Sequence, residues 1–381
     1  MIETKYPFTE EDILLRRSIR DFCRDKIIPY RDKWDEEERC PVDLFPELGE
    51  LGFLGVYCPQ EDGGSGTRMV TASVLMEELG YADAGFGQTV FAHIILAVTP
   101  LWKWGTEAQK EKYLRPSLKG RLIGGLGITE PNVGSDVASL EMRARKTDGG
   151  YLLNGTKMFT TNGTVADYII FAASLDKQKA RKGIALFIVD KGTPGFSAKP
   201  LKKMGIRSSD TAEVILEDCE ISGDQLLGAE EEGFYGVMKA FTGERILAGS
   251  LIMGTARAAF DVALDYAKKR EQFGQPIGRY QAIKHTLADM VKDIEVGLAI
   301  TYQTAALMDA GRDCRIESAV SKLFTSEVVS RVCYKAVQIH GGYGMMSEFP
   351  VNRFFRDSRQ FEIGAGTSEI MREIIGRSFD I

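Results

Sequence analysis

Histidine and cysteine are scarce, and neither is clustered. His93, His285 and His340 lie far apart along the 381 residues, which argues against a histidine-rich metal site. The six cysteines (Cys23, Cys40, Cys58, Cys219, Cys314 and Cys333) include no C-x-x-C pair. Reduced thiols in a reducing compartment are therefore expected, not a disulfide framework. Positive charge is in deficit: 48 Lys and Arg stand against 54 Asp and Glu, a net charge of −6. With no basic run either, nucleic acid and anionic membranes lose their electrostatic footing as partners. The N-terminus has neither the apolar core of a signal peptide nor the Arg-rich bias of a transit peptide. A bacterial cytoplasmic protein or a mature organellar chain is expected.

Long hydrophobic runs are also missing, with one borderline case. Ala84–Trp102 is free of Asp, Glu, Lys and Arg over 19 residues, but Gln88, Thr89, His93, Thr99 and Pro100 interrupt it, and it reads as a buried core helix and not a membrane span. Familiar nucleotide and hydrolase signatures fail as well. In GGLGITEPNVG and HGGYGMM the third glycine of G-x-G-x-x-G is replaced, by Glu130 and Ser347. No P-loop, H-E-x-x-H or G-x-S-x-G occurs.

What is present is an ordinary globular composition, 44% apolar and 27% charged, on a chain long enough for two or three structural units. Three textures follow one another. Residues 1–121 read as helices: Thr9 with Asp12 resembles a capping box, and Leu15, Ile19, Phe22, Cys23 and Ile27 form an apolar face. Further helical stretches are expected near 42–53, 69–81, 84–104 and 107–118. Residues 122–231 carry short β-branched runs, Tyr168–Phe171, Ile184–Val189 and Val214–Leu216. Asn154-Gly155 there predicts a tight turn. Residues 232–381 return to helix, beginning with one unusually long pattern from Phe234 to Lys269 that calls for a bundle and for oligomeric partners. The expected fold class is α+β: a helical domain, a β-barrel or sandwich, and a C-terminal four-helix bundle.

One carboxylate on the long helix stands out. Glu244 has Val237, Phe241, Leu247, Ala248 and Leu251 at −7, −3, +3, +4 and +7, so it falls in an apolar stripe where burial raises a carboxyl pKa and strengthens the base. Arg245 is its neighbour in sequence but not on its face. A glutamate snorkelling from a helix edge, or paired with a distant arginine, is the alternative.

Four blocks carry a resemblance. LGITEPNVGSDVASL is similar to a T-E-P-x-x-G-S-D signature, and NGTKMFTTNG to N-G-x-K-x-[WF]-[IT]-T-N. KREQFGQPIGRYQAIKHTLADM begins where the long helix ends. QIHGGYGMMSEFPVNRFFRDSR runs on into EIGAGTSEIMREIIGR. Together, in order and at these spacings, they resemble the acyl-CoA dehydrogenase family over essentially the whole chain. The resemblance implies FAD as cofactor. Thr129 and Ser135 would border it from the β-domain loop, and Phe159, Thr160 and Thr161 would flank the isoalloxazine ring. Arg270, Phe273, Gln338, Gly341 and Gly342 would hold the ADP half across a subunit interface. Thr367 and Glu369 would complete the site.

The same resemblance exposes a departure. Most of the family carries its catalytic glutamate in a Y-E-G-T segment, where this chain has Gly364-Ala365-Gly366-Thr367. The isovaleryl-CoA and long-chain members instead place it in an E-R-[LI]-[VL] segment, 26 residues before the arginine of R-E-x-F-G. Here Glu244-Arg245-Ile246-Leu247 lies 26 residues before Arg270. The resemblance thus implies Glu244 as the base for the α-proton, with the β-hydride passing to flavin and a trans-2-enoyl-CoA as product. The thioester carbonyl would be polarised by the Ala365 N–H and a ribityl hydroxyl. Ser135, Phe241, Arg245, Gly364 and Ala365 would contact substrate, and electron-transfer flavoprotein would be the acceptor of a homotetrameric enzyme. Glycine in place of tyrosine at 364 leaves room for a branched or alicyclic acyl group. Phe91, Ile94 and Ile95 are candidates for an apolar pocket wall or for ordinary core. An enoyl-CoA reductase, an acyl-CoA oxidase and a non-catalytic flavoprotein share these motifs and stay open.

Overall fold

The computed structural model describes residue 6 and residues 8–379; the side chains at 237, 239 and 240 lie outside that description. Val237, expected in the stripe around Glu244, is one of these.

Helix α1 (Glu10–Phe22) starts from the capping box foreseen at Thr9: the Thr9 hydroxyl accepts from Asp12 N–H while the Asp12 carboxylate accepts from Thr9 N–H. Its buried face, Ile19 and Phe22, continues into Cys23 and Ile27. Helix α2 (Met69–Ala82) is buried almost all round. The helical segment Ala84–Trp104 and the long helix α3 (Gly233–Lys269) are both long and apolar enough to cross a membrane. However, 89% and 83% of their apolar windows are buried in the protein, so their surface is spent on the core.

At about 1.5 Å per residue the 37-residue α3 is roughly 55 Å long. It is flanked by α2, by α4 (Gln281–Asp309) and by α5 (Arg315–His340). The shorter α6 (Pro350–Ser358) and α7 (Ser368–Gly376) close the C-terminal unit against α5. Helices α2 and α3 cross at backbone contact: a β-carbon at Gly80 would stand 2.0 Å from the Leu251 carbonyl oxygen, and one at Gly254 1.9 Å from that of Glu77. The polar centre of the bundle is Glu77, which is fully buried and accepts from Arg16, Arg257 and Tyr302, so that α1, α2, α3 and α4 meet at one carboxylate.

The middle unit is a sheet of β1 (Gly124–Gly127), β2 (Arg143–Lys146), β3 (Gly150–Thr161), β4 (Tyr168–Ser174), β5 (Ile184–Asp190), β6 (Phe196–Pro200), β7 (Thr211–Ser222) and β8 (Leu226–Leu227). The order is β6-β7-β3-β2-β4-β5-β8, with β1 added in parallel to β4. The turn expected at Asn154-Gly155 is not there. Both residues lie inside β3, at a register shift against β7. Asn154 exchanges hydrogen bonds with Asp218 across that irregularity. Gly155 is needed because a β-carbon would meet the Met142 Cα at 2.8 Å. The hairpin turns earlier, at Asp148-Gly149, where Thr147 and Gly150 exchange backbone hydrogen bonds.

Candidate active site

Strand β3 slips register a second time between Lys157 and Thr160, and this slip builds one wall of the site. Phe159 takes φ +58°, a conformation that bulky residues rarely adopt, and it is 65% exposed on a strand whose other residues are buried or half-buried. Thr160 turns inward, with a buried hydroxyl that has no hydrogen-bond partner. Thr161 is half-buried beside it. Asn162 follows the strand at φ +66° and donates to the carbonyls of Thr89 and Gly124, fastening the wall to an N-terminal helix and to β1.

The loop bearing Thr129 and Ser135 is held to the same strand. Met158 N–H donates to the Thr129 carbonyl at 2.7 Å. Beneath it, Lys157 Nζ donates to Glu130 Oε1 at 2.7 Å and to the Ile128 carbonyl at 3.0 Å. The Glu130 carboxylate also accepts from the backbone N–H groups of Glu141 and Met142. Lys157 and Glu130 are both buried, and burial brings the lysine down to about 8 against the opposing pull of Glu130. The sequence blocks contained both residues, but the pattern assigned neither a role. The available signal was a lysine on the inward face of an apolar strand.

Glu244 is 6% exposed, and burial raises its carboxyl to about 7, with Arg245 and then Lys322 pulling the other way. Leu247, Ala248 and Leu251 of the expected stripe are buried, while Phe241 is half-buried against the cluster that includes Leu101, Ile170 and Phe234. Arg245 is held in a partly desolvated position, its Nε buried without a partner.

Opposite, the turn after α6 carries Gly364, Ala365 at φ +55° and Gly366 at φ +90°. Thr367 then caps α7, its hydroxyl accepting from Ile370 N–H at 3.2 Å. Glu369 is exposed in the first turn of α7, and the buried Ser368 hydroxyl has no partner. Lys322 of α5 is completely buried and donates to the Gly366 carbonyl, joining this turn to the helix packed on α3. The sequence pattern overlooked Lys322 too. It shares a helical face with Ser318, Ala319, Thr325 and Val329, and a lone lysine on such a buried face was the detectable sign.

A third group lies at the far end of α3. Arg270, Gly341 and Gly342 line a cleft of about 500 Å³ together with Tyr266, Gln272 and Tyr343. β-Carbons at Gly341 or Gly342 would point into space, with no atom within 4 Å. Phe273 and Gln338 are exposed and stand outside the cleft lining, Phe273 at 94%. Phe91, Ile94 and Ile95 are all buried in the main core, which accounts for them without a pocket role.

The comparisons with known proteins bear on all three regions at once. Family models described as the N-terminal, middle and C-terminal domains of acyl-CoA dehydrogenase match residues 9–121, 125–219 and 231–379. The chain is a member of the acyl-CoA dehydrogenase family. A mitochondrial isovaleryl-CoA dehydrogenase of Oryza sativa is 39% identical over 373 residues, covering 97% of this chain and 91% of that protein. The solved butyryl-CoA dehydrogenase of Megasphaera elsdenii superposes with a TM-score of 0.96 at 37% identity, over 99% of this chain and all of that one. A chain from work on the electron transferring flavoprotein of Acidaminococcus fermentans gives the same score and identity, over 98% and 99%.

This acyl-CoA dehydrogenase is accordingly an FAD-dependent enzyme that dehydrogenates acyl-CoA. Its residues fit that cofactor. A protruding aromatic ring, unpaired hydroxyls at Thr160 and Ser368, and a glycine-rimmed cleft with an arginine offer stacking surface, polar partners and room for phosphates.

Proposed function

We propose that Glu244 is the base that removes the α-proton of a short branched or alicyclic acyl-CoA, on a site completed between subunits. The observation that carries this reading is a buried carboxylate, raised to about 7, on the helix facing a Gly-Ala-Gly turn that has no acid of its own. The left-handed backbone at Ala365 would aim its N–H at the thioester carbonyl, which acidifies the α-carbon. Arg245, short of a partner at Nε, would take an oxygen of the CoA moiety, with Ser135 on the opposite rim and Phe241 against the acyl group. Glu244 then accepts the proton. FAD, when bound, supplies the hydride acceptor and a ribityl hydroxyl as a second donor to the carbonyl.

Thr129, Ser135, Phe159, Thr160, Thr161, Thr367 and Glu369 would hold the flavin end. Arg270, Phe273, Gln338, Gly341 and Gly342 cannot serve the same FAD molecule. The 25 helical steps from Glu244 to Lys269 would set that cleft roughly 38 Å away, beyond the span of one dinucleotide. They would instead receive the ADP half from a neighbouring subunit, in keeping with a homotetramer and with the exposure of Phe273. Electron transferring flavoprotein is the acceptor we propose, supported by the structural likeness to the Acidaminococcus chain.

The end of the Gln360 side chain borders the room left by glycine at 364. A β-carbon there would stand 2.2 Å from Gln360 Nε2, so the glutamine side chain occupies the space a larger residue would enter. This favours a short acyl group. The test is anaerobic bleaching of the flavin band by a panel of acyl-CoAs: fastest with a short branched or cyclic thioester, slow with long straight chains. Fastest bleaching by a long straight-chain substrate would overturn the assignment. Gln360→Ala is expected to shift relative kcat/KM towards bulkier acyl groups by about 10-fold, the order of one added methylene of pocket.

A further inference from the structure

We propose that Lys322 is a positioning residue of the dehydrogenation: its buried ammonium holds the turn that carries the Ala365 N–H and anchors the charge of Glu244 inside the apolar site. The inference rests on Glu244 being the base. Lys322 lies on α5, completely buried, and its Nζ hydrogen-bonds the Gly366 carbonyl, one residue beyond Ala365. An ammonium is costly to bury, and a lysine serving only as a spacer would be replaced by an apolar side chain at no loss. Here one group spans the two halves of the reaction, the donor to the carbonyl and the acceptor of the proton.

The electrostatic surroundings are specific. The charges that act on Lys322 are Glu244 and Arg245 from α3 and Glu362 and Glu369 from the C-terminal segment. From α4 comes Thr301, bonded to the neighbouring Ser321 hydroxyl at 3.0 Å. Arg245 opposes the lysine and Glu244 favours it, so the cation is balanced mainly through the catalytic carboxylate. As the α-proton reaches Glu244, that carboxylate is neutralised while the Gly366 contact stays in place. The turn is thus held still through proton transfer.

The sign of the effect is fixed. A nearby cation favours the ionised carboxylate, so removing it must raise the Glu244 pKa further. The test is the pH dependence of the anaerobic reductive half-reaction in Lys322→Met and Lys322→Arg holoenzymes. Lys322→Met is expected to move the acid limb upward by about one unit and to slow reduction at high pH by about 10²-fold. Lys322→Arg is expected to restore the limb. Flavin content and binding of a non-reducible thioether analogue should change little. An acid limb unmoved in an FAD-replete Lys322→Met enzyme overturns the proposal, because a purely structural lysine would give that result. Should the methionine variant fail to fold, Lys322→Gln, which keeps a donor but no charge, makes the same discrimination. If instead the limb survives in Glu244→Gln, the base assignment itself has failed, and the two failures are distinct.

Discussion

Glu244→Gln is expected to slow flavin reduction by an acyl-CoA at pH 8 by about 10³-fold or more, with FAD still bound. Glutamine preserves the volume and hydrogen-bonding atoms of the side chain and removes only its ability to take a proton. In the native enzyme the rate should rise with pH through about 7, since the carboxyl must be ionised to act. The same group leaves a second, independent mark on stability. Its folded-state pKa is raised, so its contribution favours the fold fully below its ordinary value of 4.5 and is lost as pH climbs through about 7. The glutamine variant should therefore melt near the native protein at pH 5 and above it at pH 8. The gain is at most about 3 kcal/mol, reduced because Lys322 loses its counter-charge. Thermal melts at both pH values, run beside the bleaching assay, separate a catalytic carboxylate from a structural one. A variant that bleaches as fast as the native enzyme, or that is less stable at pH 8, removes Glu244 from its role. The trade is expected of a base kept strong by burial.

How much of this could be read in the sequence depended on whether the signal was local. The capping box at Thr9, the long helix and the apolar stripe around Glu244 follow from spacing along one element, and the structure contains them. Asn154-Gly155 misled because a turn and a bulge both need a glycine with unusual backbone angles. Only the partner strand, with Met142 beneath Gly155, decides between them. Lys157, Lys322 and Gln360 were passed over for a related reason. The two lysines act through residues distant in the chain, Glu130 and Gly366, and Gln360, four residues from Gly364, fills space that only packing defines.

Lys157→Met is expected to lower the stability of the protein by about 3–5 kcal/mol and to release most of its FAD. The pair with Glu130 adds little net stability as such, because taking two charges out of water offsets most of their attraction. Breaking it is another matter. Glu130 would remain buried as a carboxylate, still accepting from the Glu141 and Met142 N–H groups but with its cation gone. The chain can answer by protonating Glu130 or by letting the 128–142 loop lift from β3. Either response disturbs the contact between Met158 N–H and the Thr129 carbonyl, and with it the rim proposed to hold the flavin beside Phe159. Adding Glu130→Gln removes the stranded charge while keeping an acceptor for the backbone donors. The double variant should therefore be more stable than Lys157→Met alone, and should recover flavin in proportion. Melting temperature and the ratio of flavin to protein absorbance report both effects. If the second substitution adds to the damage of the first, the two side chains do not act as a pair, and the loop is held by its backbone contacts alone. Partial rescue would mean that a buried ion pair in the β-domain is kept for what it positions and not for what it stabilises.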